Sequence, residues 1–141
     1  DAGSNALMAS AADLDGIPRP LDGNANGSAI VDMGCYEYMN ASADSDGDNM
    51  TDGDETIAVT DPTDAGSYFH VIATSNLPPL RMFFMSSTNR LYSLQATTNL
   101  MSGAWTNLPG QEPRPGVGGL DWMEISNGLR MGCWRLRVGL P

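Results

Sequence analysis

Arg90-Leu-Tyr-Ser-Leu-Gln-Ala-Thr97 is the stretch on which the fold turns: Tyr92 and Leu94 alternate with Ser93 and Gln95. A period of two puts alternate side chains on opposite faces of a strand, so this segment reads as a half-buried β-strand. The stretch Met131–Val138 repeats the pattern, with Trp134, Leu136 and Val138 against Cys133, Arg135 and Arg137. Working outward, Tyr68–Ala73, Arg81–Ser86, Ala104–Leu108 and Leu120–Ile125 read as further short strands. Turn residues separate them: Leu77-Pro-Pro, Ser87-Thr-Asn, Met101-Ser-Gly, Pro109-Gly, Pro113-Arg-Pro-Gly and Ser126-Asn-Gly. Short strands with regular turn signals predict a small antiparallel β-sandwich over residues 68–141. Its expected core is Tyr92, Leu94, Trp105, Trp122, Trp134, Leu136 and Val138.

Upstream the composition changes. Residues 1–39 are rich in Gly, Asp, Asn and Ala, and Gly16-Ile-Pro-Arg-Pro20 forbids a regular helix there. Ala29-Ile-Val31 and Cys35-Tyr-Glu-Tyr38 read as short strands, with too little apolar sequence around them to fold alone. Charge divides the chain as well. Residues 1–80 hold 14 of the 17 acids and one arginine, a net of −13, whereas residues 81–141 hold three acids and six arginines, a net of +3. Such an acidic surface repels phosphate backbones and anionic lipid, which excludes nucleic acid as a partner and argues for divalent cations. No apolar stretch approaches the roughly 20 residues that span a bilayer, so no membrane insertion is expected.

The acids concentrate in residues 40–67, read as a linker. Asp44-Ser-Asp-Gly-Asp-Asn-Met-Thr-Asp-Gly-Asp-Glu55 fits the twelve-residue EF-hand spacing. Asp44, Asp46 and Asp48 fall at its first, third and fifth positions. Met50 supplies a backbone carbonyl at the seventh, Asp52 stands at the ninth, and Glu55 at the twelfth can bind bidentately. Calcium takes six to eight oxygens at about 2.3–2.6 Å, and alternate residues of a tight loop aim their carboxylates inward. Asn49 stands where such loops carry Gly, and Asn tolerates the left-handed backbone that position needs. A short helix is expected from Thr51 or Asp52 to about Val59. A second oxygen-rich run, Asp22-Gly-Asn-Ala-Asn-Gly27, has Met33 at its twelfth position and reads as an Asx-rich turn.

Three resemblances follow. Asp13-Leu-Asp-Gly-Ile-Pro-Arg-Pro-Leu-Asp-Gly23, with Val31-Asp-Met-Gly-Cys-Tyr-Glu37, resembles the terminal coil of secreted bacterial right-handed parallel β-helix proteins, Cys35 replacing the usual Ala. The acidic loop and its continuation Thr60-Asp-Pro-Thr-Asp64 resemble thrombospondin type 3 and dockerin-like repeats, which implies Asp61 or Asp64 as a further ligand. Tyr92 to Trp105 is similar, more loosely, to small β-domains appended to bacterial surface and secreted proteins. Together they imply a mainly β chain: a β-helix coil over 1–39, a calcium-binding linker with a short helix over 40–67, and the sandwich over 68–141. The opening Asp1-Ala-Gly-Ser, without an initiator Met or signal peptide, reads as a processed piece whose targeting signal lies upstream.

No catalytic constellation stands out. His70 is the sole histidine and sits in a strand-like run, with no Gly-x-Ser-x-Gly elbow anywhere. The clustered carboxylates are better explained as cation ligands than as an acid–base pair. Cys35 and Cys133 make no disulfide framework and lack zinc spacing; unpaired thiols are the preferred reading over a single bridge. The expectation is therefore a non-catalytic, calcium-binding, structural or adhesive region of a secreted or cell-surface protein, with calcium and an extracellular glycan or surface protein as partners. The alternatives are a carbohydrate-binding appendage of a polysaccharide-degrading enzyme, for which exposed Trp105 or Trp122 would speak, and a C-terminal sorting domain.

Overall fold

The structure is a computed structural model, and it describes residues 2–76, 78–125 and 132–141. It divides into two compact units, residues 1–68 and residues 69–141. The seven strands of the described residues lie in two antiparallel sheets, with one short α-helix, so the chain is mainly β.

The second unit carries all seven: β1 (Ala73–Thr74), β2 (Leu80–Ser86), β3 (Leu91–Thr97), β4 (Thr106–Asn107), β5 (Arg114–Pro115), β6 (Gly119–Ile125) and β7 (Cys133–Gly139). One sheet runs β1-β2-β6, with Phe84 opposite Asp121 and Met82 opposite Met123. In the other, β7 pairs with β3 along its whole length, while β4 and β5 pair with its two ends. The expected strands at 81–86, 90–97, 104–108 and 120–125 all appear within a residue or two. That over 68–73 shrinks to β1, and β5 falls inside what reads as a turn. The start of the 131–138 strand and the Ser126-Asn-Gly turn lie outside the described residues.

The alternation of β3 builds the core. Tyr92, Leu94 and Ala96 face inward and are buried with Phe84, Met123 and Leu108, while Trp134, Leu136 and Val138 pack against them. Phe84 and Tyr92 lie 5.2 Å apart between ring centroids, and Phe69 reaches both rings at 5.9 Å. This apolar layer between two sheets makes a small β-sandwich. The Tyr92 hydroxyl accepts from the Ser87 amide at 2.9 Å and ties the β2–β3 connection, which crosses between the sheets, to the core. Gly116 is obligatory for a steric reason: a Cβ there would meet the Ser87 carbonyl at 2.5 Å and the Tyr92 ring at 2.7 Å.

Two tryptophans expected inside lie elsewhere. Along β6 the inward residues are Asp121 and Met123, so Trp122 takes the outer face and is 42% exposed. Asp121 can be inward because Arg114 grips it with two hydrogen bonds of 2.9 and 2.7 Å. Burial raises the Asp121 pKa, but the hydrogen bonds and charge of Arg114, with the Trp122 amide, more than offset this and leave it lowered. Trp105 is half-buried on the outer side of the other sheet, under the Arg135 guanidinium.

The first unit is organised by side chains. Residues 2–39 form no β-helix coil: the stretches 29–31 and 35–38 are not strands, and one isolated bridge joins Ala12 to Pro18. Some amides go to scattered backbone carbonyls, as Gly3 to Val31, Leu14 to Cys35 and Ile30 to Leu21, and several others are taken by acids and an Asn. Glu37 accepts from Leu21 and Asp32, Asp13 from Glu37 and Ile17, Asp32 from Tyr38, and Asn5 from Val31. The Glu37 carboxylate, almost fully buried, also pairs with Arg19 at 3.2 Å. Both cysteines are free thiols. No helix among the described residues is long and apolar enough to cross a membrane.

Candidate metal centre

The acidic loop leads into the helix α1 (Asp52–Ala58). Thr51 caps it, its Oγ1 accepting from the Asp54 amide at 3.2 Å, and Val59 closes it in the left-handed conformation. Asp52, Asp54 and Glu55 in the first turn complement the partial positive charge of the helix start. Gly53 permits close approach to the preceding chain, since a Cβ there would meet the Ala41 carbonyl at 2.6 Å. Ala43 takes the Asp52 amide at 2.8 Å and is itself buried.

Within the loop the carboxylates curl the backbone around themselves. Asp44 accepts from the amides of Gly47 at 2.7 Å and Asn49 at 3.0 Å. Asp46 accepts from Asp48, and Asp48 from Met50 at 2.7 Å. Gly47 and Asn49 both adopt positive φ, 81° and 76°, so Asn49 fills the left-handed position as expected. The outcome is convergence. Asp44, Asp46 and Asp48 each present an oxygen, and these lie within 4.8 Å of one another.

Three oxygens then stand out. Asp46 Oδ2, Asp48 Oδ2 and Glu55 Oε2 are buried and accept no hydrogen bond. Buried carboxylate oxygens without donors cost free energy unless a cation faces them. Glu55 is fully buried. Its other oxygen accepts from the Thr60 hydroxyl at 3.1 Å. Burial first, then the negative charges of Asp46, Asp48 and Asp52, push its pKa from 4.5 up to about 7. Burial also raises Asp46, with Asp48, Asp44 and Asp52 adding to it. The donor set is all oxygen, anionic and short of counter-charge, so the described residues can hold a metal ion of the hard, oxygen-seeking kind.

Comparisons with models of protein families, with curated proteins and with solved structures find no match. The geometry alone therefore carries the functional argument.

Other predicted ligands take different places. Asp52 is fully buried, and both its oxygens are engaged by Ser45, one by the amide at 2.9 Å and one by the hydroxyl at 2.8 Å. Met50 is held through its amide by Asp48. Asp61 accepts from the amide and hydroxyl of Thr63, and Asp64 from the Gly66 amide, so both are engaged in local turns. Asp22 likewise accepts from Asn26 and Gly27, the Asx-rich turn the sequence suggested. Ser45 is the residue that sequence reasoning missed. Besides holding Asp52, its hydroxyl accepts from the Asp22 amide at 2.8 Å, tying the loop to the residues before it. Its place between two ligand positions offered no signal.

Proposed function

We propose that residues 44–55 bind one calcium ion and that the chain is a non-catalytic, structural region of a secreted or cell-surface protein. The observation that carries this reading is the convergence of Asp44, Asp46 and Asp48 together with buried, donorless oxygens on Asp46, Asp48 and Glu55, the last outside the converged trio but within electrostatic reach of Asp46 and Asp48. Calcium fits better than magnesium because a flexible loop of carboxylates suits six to eight ligands at variable angles, whereas magnesium demands near-octahedral geometry. Asp44, Asp46, Asp48 and Glu55 are the side chains that would hold the ion. Met50 adds its carbonyl, and Asp52 acts either directly or by fixing the loop through Ser45. Extracellular modules operate at about 10⁻⁴–10⁻³ M calcium, so a modest affinity suffices outside a cell. Calorimetric titration of the whole chain tests the reading: one calcium per chain at millimolar concentration is expected, and no heat above dilution would sink it.

A further inference from the structure

The outer face of the sheet formed by β4, β3 and β7 carries a second set of unassigned groups. Because Tyr92, Leu94 and Ala96 face inward, Ser93, Gln95 and Thr97 point to the opposite face, where they are buried beneath their neighbours, and Arg135 and Arg137, opposite Gln95 and Ser93, stand exposed on it. Asn107 lies opposite Gln95 on the other side. These residues form one network. Gln95 donates to Asn107 Oδ1 at 3.0 Å and accepts from Arg135 Nε at 2.9 Å, and the Arg135 guanidinium lies 4.4 Å from the Trp105 ring centroid. At the end of the same strands, a groove of about 320 Å³ is lined by Thr97, Thr98, Asn99, Ser102 and Thr106 together with Ala96 and Ala104.

Charge on this face is uncompensated. The unit has three acids: Asp121 is paired with Arg114, Glu124 with Arg81, and Glu112 accepts from the Gly110 amide. Arg135 and Arg137, both exposed, have no acidic partner among the described residues. In a chain of net charge −10 this is a local positive strip. We propose that this face binds an acidic polysaccharide of the polyuronate class. Arg135 and Arg137 take sugar carboxylates, while half-buried Trp105 and exposed Asn107 meet the sugar ring and its hydroxyls, with buried Gln95 fixing Asn107 and Arg135 from beneath. Guanidinium matches carboxylate through paired hydrogen bonds, and a fixed aromatic with placed amides suits a polar ring.

The site is independent of the calcium loop, so its test is run on the full chain in chelator, which also removes calcium bridges between the loop and the polyuronate. Affinity electrophoresis in gels containing polygalacturonate, at low ionic strength, should retard the chain, and fully methyl-esterified polygalacturonate should not. Arg137→Glu and the milder Arg137→Gln lie on an exposed side chain and should weaken retention about tenfold or more, with an unchanged thermal melt. Arg81→Glu, on the other sheet, should leave retention in place. No retardation by polygalacturonate, equal retardation by the esterified polymer, or full retention in Arg137→Glu would each overturn the proposal. Concentration-dependent self-association lost in Arg137→Glu would overturn it in favour of an acidic protein surface.

Discussion

Lowering the pH from 8 to 6 should weaken calcium binding about tenfold, and Glu55 is the reason. Its carboxyl titrates at about 7 in the metal-free chain, because it is buried and faces Asp46, Asp48 and Asp52. Calcium needs the deprotonated form, so below pH 7 each ion must displace a proton, and affinity falls about tenfold per pH unit. Between pH 7 and 8 the dependence should flatten. Glu55→Gln keeps the shape and an acceptor for Thr60 but removes the titration. It should bind calcium more weakly than the native chain at pH 8 and show little pH dependence from 6 to 8.

Stability carries the same signature with the opposite sign. A carboxyl whose folded pKa lies above its unfolded value of 4.5 makes the folded state the better proton binder between 4.5 and about 7. Metal-free stability therefore declines as pH rises through that window. A shift from 4.5 to about 7 sets an upper bound of roughly 3 kcal/mol. Glu55→Gln should abolish that decline, so the difference between native and variant chains isolates the Glu55 contribution from other carboxylates. Saturating calcium should raise the native melt most above pH 7, where the repulsion is largest. Calorimetry across pH 6–8 and chemical denaturation in chelator across pH 4.5–8 check both arms. A native affinity that is flat from pH 6 to 8, or a metal-free stability identical in native and Glu55→Gln, would refute the reasoning.

Three further outcomes are expected. Gly53→Ala should destabilise the first unit by about 1–3 kcal/mol, read by hydrogen exchange at α1, because its Cβ has no room beside Ala41. Asp121→Asn should cost the second unit about 2 kcal/mol in chemical denaturation, discounted for the part-exposed Arg114 it leaves behind. In the native chain the stabilisation from Asp121 is present above its ordinary pKa and lost as pH falls below it, so the variant should flatten the acid limb of the stability curve. Calcium should slow proteolysis between residues 40 and 64, which hold eight acids and no base, while barely changing the melt of isolated residues 69–141; equal cleavage rates with calcium and chelator would count against the loop reading.

How much of this was legible in the sequence depends on which interaction does the folding. Where apolar burial dominates, the period of two was enough: Tyr92, Leu94, Trp134, Leu136 and Val138 sit where alternation puts them. Alternation on β6 was ambiguous, since Asp121 and Met123 share one face while Leu120 and Trp122 share the other. An ion pair from Arg114 settled it, and no local pattern announces a partner seven residues away. In residues 2–39 the same short apolar runs read as strands, yet their backbone groups meet scattered carboxylates, an Asn and single carbonyls, an arrangement with no period to detect. The loop lies between these cases. Its spacing revealed the Asp44, Asp46 and Asp48 convergence and the helix that follows, because alternation in a tight turn is itself a geometric rule. It did not reveal that Ser45 would engage both oxygens of Asp52. That contact links the loop, the helix start and Asp22, and thereby holds Glu55, one turn further along α1, with one oxygen on Thr60 and the other unmatched. A ligand set read from spacing names the oxygens; the hydrogen bonds decide which of them are left over for a cation.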